Sequence, residues 1–128
     1  MGQEFIIDSN VVIDYLAGNL PAWGMNFLNR IVNKTPFVSV ITKIEVLGFK
    51  SNVETSKLLS GFFPDSIIIA LNANIVDITI EIRKQHKIKT PDAIIAASAM
   101  NIGFGILTRN TKDFNTISGL KLINPFDL

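Results

Sequence analysis

Four acidic residues of this 128-residue chain lie at or just past the ends of apolar segments that are typical of buried strands. The first follows "EFII", the second lies one turn into the helix predicted after "FVSV", and the fourth lies in the loop after "FGIL". The third lies in the first turn of the helix that leads into "FGIL". Because ligands of an open parallel sheet bind at the carboxyl ends of its strands, we expect these side chains to converge. They are Asp8, Glu45, Asp92 and Asp113.

A cluster of four carboxylates is unfavourable unless its charge is neutralised. Two like charges about 4 Å apart repel by roughly 4 kcal/mol at an effective dielectric constant of about 20. A protein relieves this repulsion by protonating one acid or by holding a cation. Since the chain has no cysteine and only one histidine, oxygen ligands favour Mg²⁺ or Mn²⁺ over zinc. Ions held in this way most often serve phosphoryl transfer or phosphodiester hydrolysis.

Each acid, taken alone, also has an ordinary structural explanation. Asp92 complements a helix dipole, Asp8 is a common turn residue, and an acid on a helix such as Glu45 is usually solvated. The surroundings of Glu45, "IEVLGF", are nevertheless mostly apolar. The prediction of a site therefore depends on the joint placement of the four acids.

Five short apolar runs predict the strands that position these acids. Their apolar character is continuous rather than alternating, which is typical of parallel strands buried on both faces. The runs are Phe5–Ile7, Phe37–Val40, Ile67–Ala70, Gly105–Leu107 and Lys121–Ile123.

Segments with helical signals separate the predicted strands. Asn10 is predicted to cap a helix over Val11–Ala17 that stops at Gly18, and Thr90 to cap a helix that starts with Pro91. Further helices are predicted over "AWGMNFLNRIVNK", "TKIEVLGF", "VETSKLLSGFF" and "NIVDITIEIRKQHK". We therefore predict one α/β domain over residues 1–128, with a central, mostly parallel sheet of about five short strands flanked by helices on both faces.

Composition excludes several classes of function. The absence of cysteine excludes disulfides and thiolate metal sites. The longest apolar runs are far shorter than the roughly 18 residues of a membrane span, and "MGQEF" has no features of a signal peptide. A net charge of +1 restricts any nucleic-acid site to a local patch. We expect a cytoplasmic protein with no membrane association.

Four segments of the chain resemble the motif stretches of PIN-domain ribonucleases. They are "IIDSNVVIDYL", "SVITKIEVLGF", "IKTPDAIIAASAM" and "ILTRNTKDF", in the order and at the spacing of that family. The resemblance extends from about Phe5 to Phe126 and is strongest to the VapC-type toxins of prokaryotic toxin–antitoxin pairs.

This resemblance implies a Mg²⁺- or Mn²⁺-dependent endoribonuclease, a homodimer, and an antitoxin whose C-terminal tail occupies the groove. It implies that the four acids form the catalytic metal site. By the same resemblance, Ser9, Asn10, Thr42 and Thr108 are polar support around the metal. One position departs from the family pattern, since Asn110 stands where many PIN domains have an aspartate. Asn110 and Asp113 therefore share that role in our interpretation.

An RNA substrate requires positive charge near the acids. Five basic residues are predicted near the rim of the sheet: Arg83, Lys87, Lys89, Arg109 and Lys112. His86 is interpreted as a surface residue, because it has no second histidine at helical spacing. Asp14 and the other acids on predicted helices are interpreted as solvated.

Other functions were weighed against this one. Phosphatases and response-regulator receivers also keep acids at a sheet edge, but neither pattern predicts Glu45 or "TPDA". A catalytically weak PIN-like protein that only binds RNA or a partner protein is the main alternative. A structure-specific DNA nuclease usually needs a longer chain with inserted segments.

Overall fold

The computed structural model describes residues 3–127 and contains one five-stranded sheet. The strands are β1 (Phe5–Ile7), β2 (Phe37–Ser39), β3 (Ile67–Ile69), β4 (Gly105–Leu107) and β5 (Leu122–Ile123). The helices are α1 (Ser9–Leu16), α2 (Ala22–Lys34), α3 (Val40–Leu47), α4 (Val53–Ser60), α5 (Ala73–Gln85), α6 (Thr90–Ile102) and α7 (Thr111–Phe114), and a 3₁₀ helix (Phe63–Asp65) precedes β3. None of the helices in this described part has the length and apolar character needed to cross a membrane.

The strand order places β1 at the centre of the sheet. The order is β3-β2-β1-β4-β5, and every neighbouring pair is parallel. Ile6 of β1 is paired with Phe37 of β2 on one side and with Ile106 of β4 on the other. The chain builds one half of the sheet outward from β1 and then returns to build the other half. In sheets of this kind, the carboxyl ends beside such a switch point form the ligand-binding crevice.

The sheet separates two apolar cores, which we call the first core and the second core. Successive residues of a strand point to opposite faces, so Phe5 and Ile7 belong to the first core and Ile6 to the second. Helices α1, α2 and α4 fill the first core, whereas α5, α6 and α7 fill the second. The predicted parallel sheet of five short strands with helices on both faces is therefore confirmed.

Two predicted helix starts are wrong by one or two residues. Helix α1 begins at Ser9, and its N-cap is Asp8, whose side chain accepts the backbone N–H of Ser9. Asn10, the predicted cap, is therefore inside the helix. Helix α6 begins at Thr90 rather than after it, because Lys89 still has extended backbone angles. Helix α6 ends at Ile102, and its C-cap Gly103 adopts the left-handed conformation, with φ 74°.

Helices α3 and α7 also differ from the prediction. The hydroxyl of Ser39 accepts the backbone N–H of Ile41 at 3.1 Å, so β2 ends at Ser39 and α3 begins at Val40. The predicted strand and helix were each displaced by one or two residues. The segment that carries Asp113 was predicted as a loop, but it forms the four-residue helix α7, which the fully buried Phe114 attaches to the second core.

Gly105 at the start of β4 provides a test of this packing. A Cβ atom at Gly105 would lie 2.7 Å from the carbonyl oxygen of Lys121 and 2.8 Å from the ring of Phe5. We expect Gly105→Ala to lower the free energy of unfolding by about 2 kcal/mol, measured by urea denaturation. The matched control is Gly61→Ala, whose Cβ would meet its neighbours at 3.5 Å and 3.6 Å. That control is expected to be neutral, and equal stabilities of the two variants would contradict the packing described.

Candidate functional site

Asp8 lies buried at the junction of β1 and α1, with 4% of its surface exposed. Its Oδ1 accepts the backbone N–H of Ser9 at 2.8 Å, and its Oδ2 accepts the Thr108 hydroxyl at 2.7 Å. The side-chain amide of Asn10 also donates to Oδ2, at 3.4 Å. Thr108 reaches Asp8 because β1 and β4 are paired, and the backbone N–H of Asp8 donates to the carbonyl of Leu107 at 2.9 Å. These donors fix one carboxylate at the predicted edge of the sheet.

The segment after β4 is attached to α1 by further hydrogen bonds. The side-chain oxygen of Asn10 accepts the backbone N–H of Arg109 at 3.2 Å. The hydroxyl oxygen of Thr108 accepts the backbone N–H of Asn110 at 3.0 Å. Asn110 is the N-cap of α7, but its side chain makes no capping bond. Asn10 and Thr108 therefore surround Asp8 with their side chains, whereas Asn110 takes part through its backbone.

Glu45 reaches the same junction from α3. The Ser9 hydroxyl donates to Oε1 of Glu45 at 2.5 Å, across 36 residues of sequence. Thr42 lies one turn earlier on α3 and is fully buried. Among residues 3–127, its hydroxyl oxygen has no hydrogen-bond partner. The region around Glu45 therefore contains a buried hydroxyl group, that of Thr42, with no hydrogen-bond partner in the described residues.

The pKa of Asp92 reports the convergence of all four acids. Burial raises the pKa of Asp92 to about 6, and the charges of Asp8, Asp113 and Glu45 contribute to that increase, with Lys89 opposing it. Asp92 lies in the first turn of α6 and Asp113 on α7, so both approach from the second core.

The pKa of Asp8 is also raised. Burial is the main cause, and the negative charge of Glu45 adds to it, while the hydrogen bonds from Thr108 and Ser9 act in the opposite direction. Four carboxylates from four separate segments thus interact electrostatically at one edge of the sheet.

The chemistry of these donors fits a divalent cation. The side chains offer oxygen atoms only, burial and then neighbouring carboxylates raise the pKa of Asp8 and of Asp92, and the Thr42 hydroxyl is buried without a partner. Within residues 3–127, however, no three Asp, Glu or His side chains are grouped closely enough to hold one ion. Like charges stay apart unless a cation lies between them, so the acids would have to move together to chelate an ion.

A cleft of about 780 Å³ opens beside Asp92 and Asp113. Four of the five basic residues predicted to contact RNA line it: Arg83, Lys87, Lys89 and Lys112. Asp92 and Asp113 line the same cleft as these basic side chains. An anionic chain bound by the basic side chains would therefore lie next to the acidic cluster.

Arg109, the fifth predicted contact, lies outside the lining of this cleft. Its guanidinium donates to Oδ2 of Asp14 at 3.0 Å and lies 4.5 Å from the centre of the Phe126 ring. Arg109 is thus engaged with two side chains of its own chain.

The sequence matches the family model of the PIN domain over residues 5–120, which is nearly the whole chain. The chain belongs to the PIN domain family. The predicted resemblance is therefore confirmed, and the four acids described above are carried by the PIN domain. No sequence among the curated proteins matched the chain.

Solved structures of similar fold include chains of toxin–antitoxin complexes. A chain of a toxin–antitoxin complex from Klebsiella pneumoniae is 26% identical, with a TM-score of 0.75, and the match covers 98% of this PIN domain protein and 100% of that chain. A chain of VapBC2 from Rickettsia felis, bound to a promoter DNA fragment, is 23% identical with a TM-score of 0.78, over 94% and 97% of the two chains. A chain of DNA-bound VapBC from Salmonella typhimurium is 20% identical with a TM-score of 0.77, over 97% and 99%. The predicted resemblance to VapC-type PIN domains is thus confirmed at the level of the fold.

Two residues near the site of this PIN domain, His86 and Asp14, were interpreted from the sequence as surface or solvated residues. His86, interpreted as a surface residue, is half-buried and lines the cleft. Asp14 is not freely solvated, because it is bonded to Arg109 and its side chain is only 14% exposed. For Asp14 a signal existed: it lies four residues after Asn10 on α1, and residues at that spacing share a helix face.

Proposed function

We propose that this PIN domain protein is a Mg²⁺- or Mn²⁺-dependent endoribonuclease and the toxin of a type II toxin–antitoxin pair. The observation that carries the proposal is the convergence of four acids beside a cleft lined by basic side chains. Burial, together with the charges of the other three acids, raises the pKa of Asp92 to about 6. Family membership and the similarity of fold to chains of toxin–antitoxin complexes support the same proposal.

Asp8, Glu45, Asp92 and Asp113 are the residues proposed to hold the ion and to be catalytic. A bound Mg²⁺ or Mn²⁺ would steady the charge of the scissile phosphate and supply hydroxide from a coordinated water. The chain's own contribution is to aim Asp8, which Thr108 and Ser9 fix by hydrogen bonds.

The basic cleft is proposed to bind the RNA backbone. Lys89 and Lys112 come from the segments next to Asp92 and Asp113, while Arg83 and Lys87 extend the positive wall along the end of α5. A phosphate chain held along this wall would present one linkage to the acids. A single-stranded or looped RNA can adapt to such a cleft without base-specific contacts.

A cognate antitoxin and a second copy of this chain are the proposed protein partners. Support comes from exposed apolar side chains on and after α3, where Ile44 is 63% and Val53 71% exposed. Leu47 and Phe49 are exposed in the same region. Apolar surface of this kind typically contacts another protein.

One observation favours the alternative that the protein binds RNA or a partner without efficient cleavage. In residues 3–127 the acids are not yet grouped to chelate one ion. Weak or substrate-dependent metal binding would follow if the repulsion between them were not overcome.

The proposal is tested by Mn²⁺ titration calorimetry and by RNA cleavage, on the wild-type protein and on Asp8→Asn. We expect one saturable Mn²⁺ site and Mn²⁺-dependent cleavage in the wild type, and loss of cleavage by about a thousandfold in Asp8→Asn. Asparagine keeps the shape and the helix cap of Asp8 but removes its charge. The control is Asp77→Asn, which removes one charge from an exposed acid on α5. Cleavage retained by Asp8→Asn would refute the proposed site, and RNA binding without cleavage by the wild type would establish the alternative.

A further inference from the structure

Arg109 makes three contacts with groups of its own chain. Its guanidinium donates to Oδ2 of Asp14 at 3.0 Å, and the guanidinium carbon lies 4.5 Å from the centre of the Phe126 ring. Its backbone N–H donates to the side-chain oxygen of Asn10 at 3.2 Å. We call this set of contacts the Arg109 clasp. It joins α1, the segment after β4 and the C-terminal turn.

The C-terminal turn is a fixed support for this clasp. The backbone N–H of Phe126 donates to the side-chain oxygen of Asn124 at 2.9 Å, and that of Asp127 to the carbonyl of Asn124 at 3.0 Å. Pro125 is buried, and its carbonyl lies where a Cβ atom at Gly24 would come within 2.3 Å. Phe126 itself packs against the first core. The turn that carries this ring therefore contacts α2 through Pro125, and the ring itself packs against the first core.

The clasp is adjacent to the contact that orients Asp8. Arg109 lies between Thr108, whose hydroxyl donates to Asp8 at 2.7 Å, and Asn110, whose backbone N–H donates to that same hydroxyl oxygen. A segment fixed at its middle residue on two separate elements has little freedom at either neighbour. The clasp therefore acts on the segment that carries the Thr108 hydroxyl, alongside the bond from the Thr108 backbone N–H to the carbonyl of Ile123 at 3.0 Å.

We propose that Arg109 is a positioning residue, which uses Asp14 and the Phe126 ring to hold the Thr108–Asn110 segment against Asp8. The inference rests on the proposed nuclease function for its effect on cleavage, but not for its effect on the structure. The C-terminal turn thereby becomes part of the active-site framework, although it contributes no group to the acidic cluster. Lysine cannot replace Arg109 in this role, because it lacks the planar group that stacks on a ring while donating along a carboxylate.

The experiment compares Arg109→Lys, Phe126→Leu and Phe126→Tyr with the wild type. Arg109→Lys keeps the charge, Phe126→Leu keeps the apolar contact without the ring, and Phe126→Tyr keeps the ring face. The control is Arg30→Lys, which alters the other arginine near a phenylalanine, with Arg30 5.8 Å from the Phe27 ring and distant from the acids.

The first measurement is hydrogen exchange of the Arg109 and Asn110 amides without added metal. We expect exchange to be faster by about tenfold in Arg109→Lys and Phe126→Leu, and unchanged in Phe126→Tyr and Arg30→Lys. The second is steady-state cleavage of a single-stranded RNA with Mn²⁺. The kcat is expected to fall about tenfold in the first two variants with KM unchanged, because misplacement of Asp8 affects the reaction rather than binding.

Three results would overturn the inference. Unchanged exchange in both Arg109→Lys and Phe126→Leu would show that the clasp does not hold the segment. A raised KM with unchanged kcat would make Arg109 an RNA contact instead. Faster exchange with unchanged kcat and KM would show that the segment's position does not matter for cleavage. If the wild type neither binds Mn²⁺ nor cleaves RNA, the nuclease proposal fails by itself, and exchange alone then decides whether the clasp exists.

Discussion

Asp92→Asn is expected to abolish Mn²⁺-dependent RNA cleavage and, without added metal, to make the protein more stable. Cleavage should fall by about a thousandfold, because a metal site of this kind supplies several kcal/mol of transition-state stabilisation. Stability should rise because burial of Asp92, together with the charges of three other acids, disfavours its ionised form and raises its pKa to about 6. Asparagine removes that repulsion and keeps the shape of the side chain.

The sign of the pH dependence follows from the raised pKa of Asp92. The folded chain binds the proton of the Asp92 carboxyl more tightly than the unfolded chain does. Protonation of Asp92 therefore stabilises the folded state fully below pH 3.8, its ordinary pKa, and this stabilisation is lost as the pH rises to about 6. That difference corresponds to at most about 3 kcal/mol, and solvent around a half-buried carboxylate reduces it to about 1 kcal/mol.

Urea denaturation at pH 7.5 and pH 4 measures this contribution. The wild type should be less stable than Asp92→Asn by about 1 kcal/mol at pH 7.5, and the two should approach equal stability at pH 4. Added Mn²⁺ should reverse the order at pH 7.5, because only the wild type binds it. Loss of cleavage together with loss of stability would mean that Asp92 supports the fold instead of the proposed site.

Removal of positive charge from the cleft is expected to weaken RNA binding by about a hundredfold. The variant replaces Arg83, Lys87 and Lys112, which line the cleft, by Gln. For single-stranded RNA, each phosphate contact contributes a slope of about −0.7 to the dependence of log affinity on log salt. At about 0.1 M salt, three phosphate contacts therefore raise RNA affinity by roughly a hundredfold. In the triple variant, the slope of log affinity against log salt should become shallower by about 2.

The control for this variant removes the same charge elsewhere. Lys34, Lys50 and Lys57 are exposed and do not line the cleft, so their replacement by Gln lowers the net charge by the same amount. Binding of a fluorescent single-stranded RNA is measured in EDTA over a range of salt concentrations, so that cleavage does not interfere. Equal losses in the two triple variants would mean that RNA responds to net charge and not to the cleft.

The fold was largely predictable because its strands are continuous apolar runs between clear helical segments. Phe5–Ile7 and Gly105–Leu107 were predicted with the observed bounds. The errors fell where a polar side chain decides a boundary: Asp8 and Ser39 cap α1 and α3 from the ends of the strands, which moved both helix starts. Helix α7 was missed because four residues show no periodicity, and its position depends on the burial of Phe114.

The acids of the site could be predicted from their positions relative to the strands, whereas its long-range side-chain contacts could not. Asp8 follows β1 directly and Asp113 lies in the segment after β4, so the rule on strand ends was sufficient to select them. The partnership of Arg109 with Asp14 joins residues 95 positions apart, and no local pattern indicates it. His86 lines the cleft beside Lys87 and Lys89, which were predicted near the rim, so its neighbours in sequence already indicated its position.

The division of the apolar interior into two cores has a consequence for partial unfolding of the protein. Asp8 is the N-cap of α1, whose buried residues belong to the first core, whereas Asp92 and Asp113 lie on helices of the second core. Opening of either layer would therefore separate the acids, and repulsion between them favours that separation at neutral pH. An ion bound to Asp8 and also to Asp92 and Asp113 would link the two layers at the edge of the sheet, so that neither layer could open without releasing the ion. Resistance to proteolysis would then rise with ion concentration.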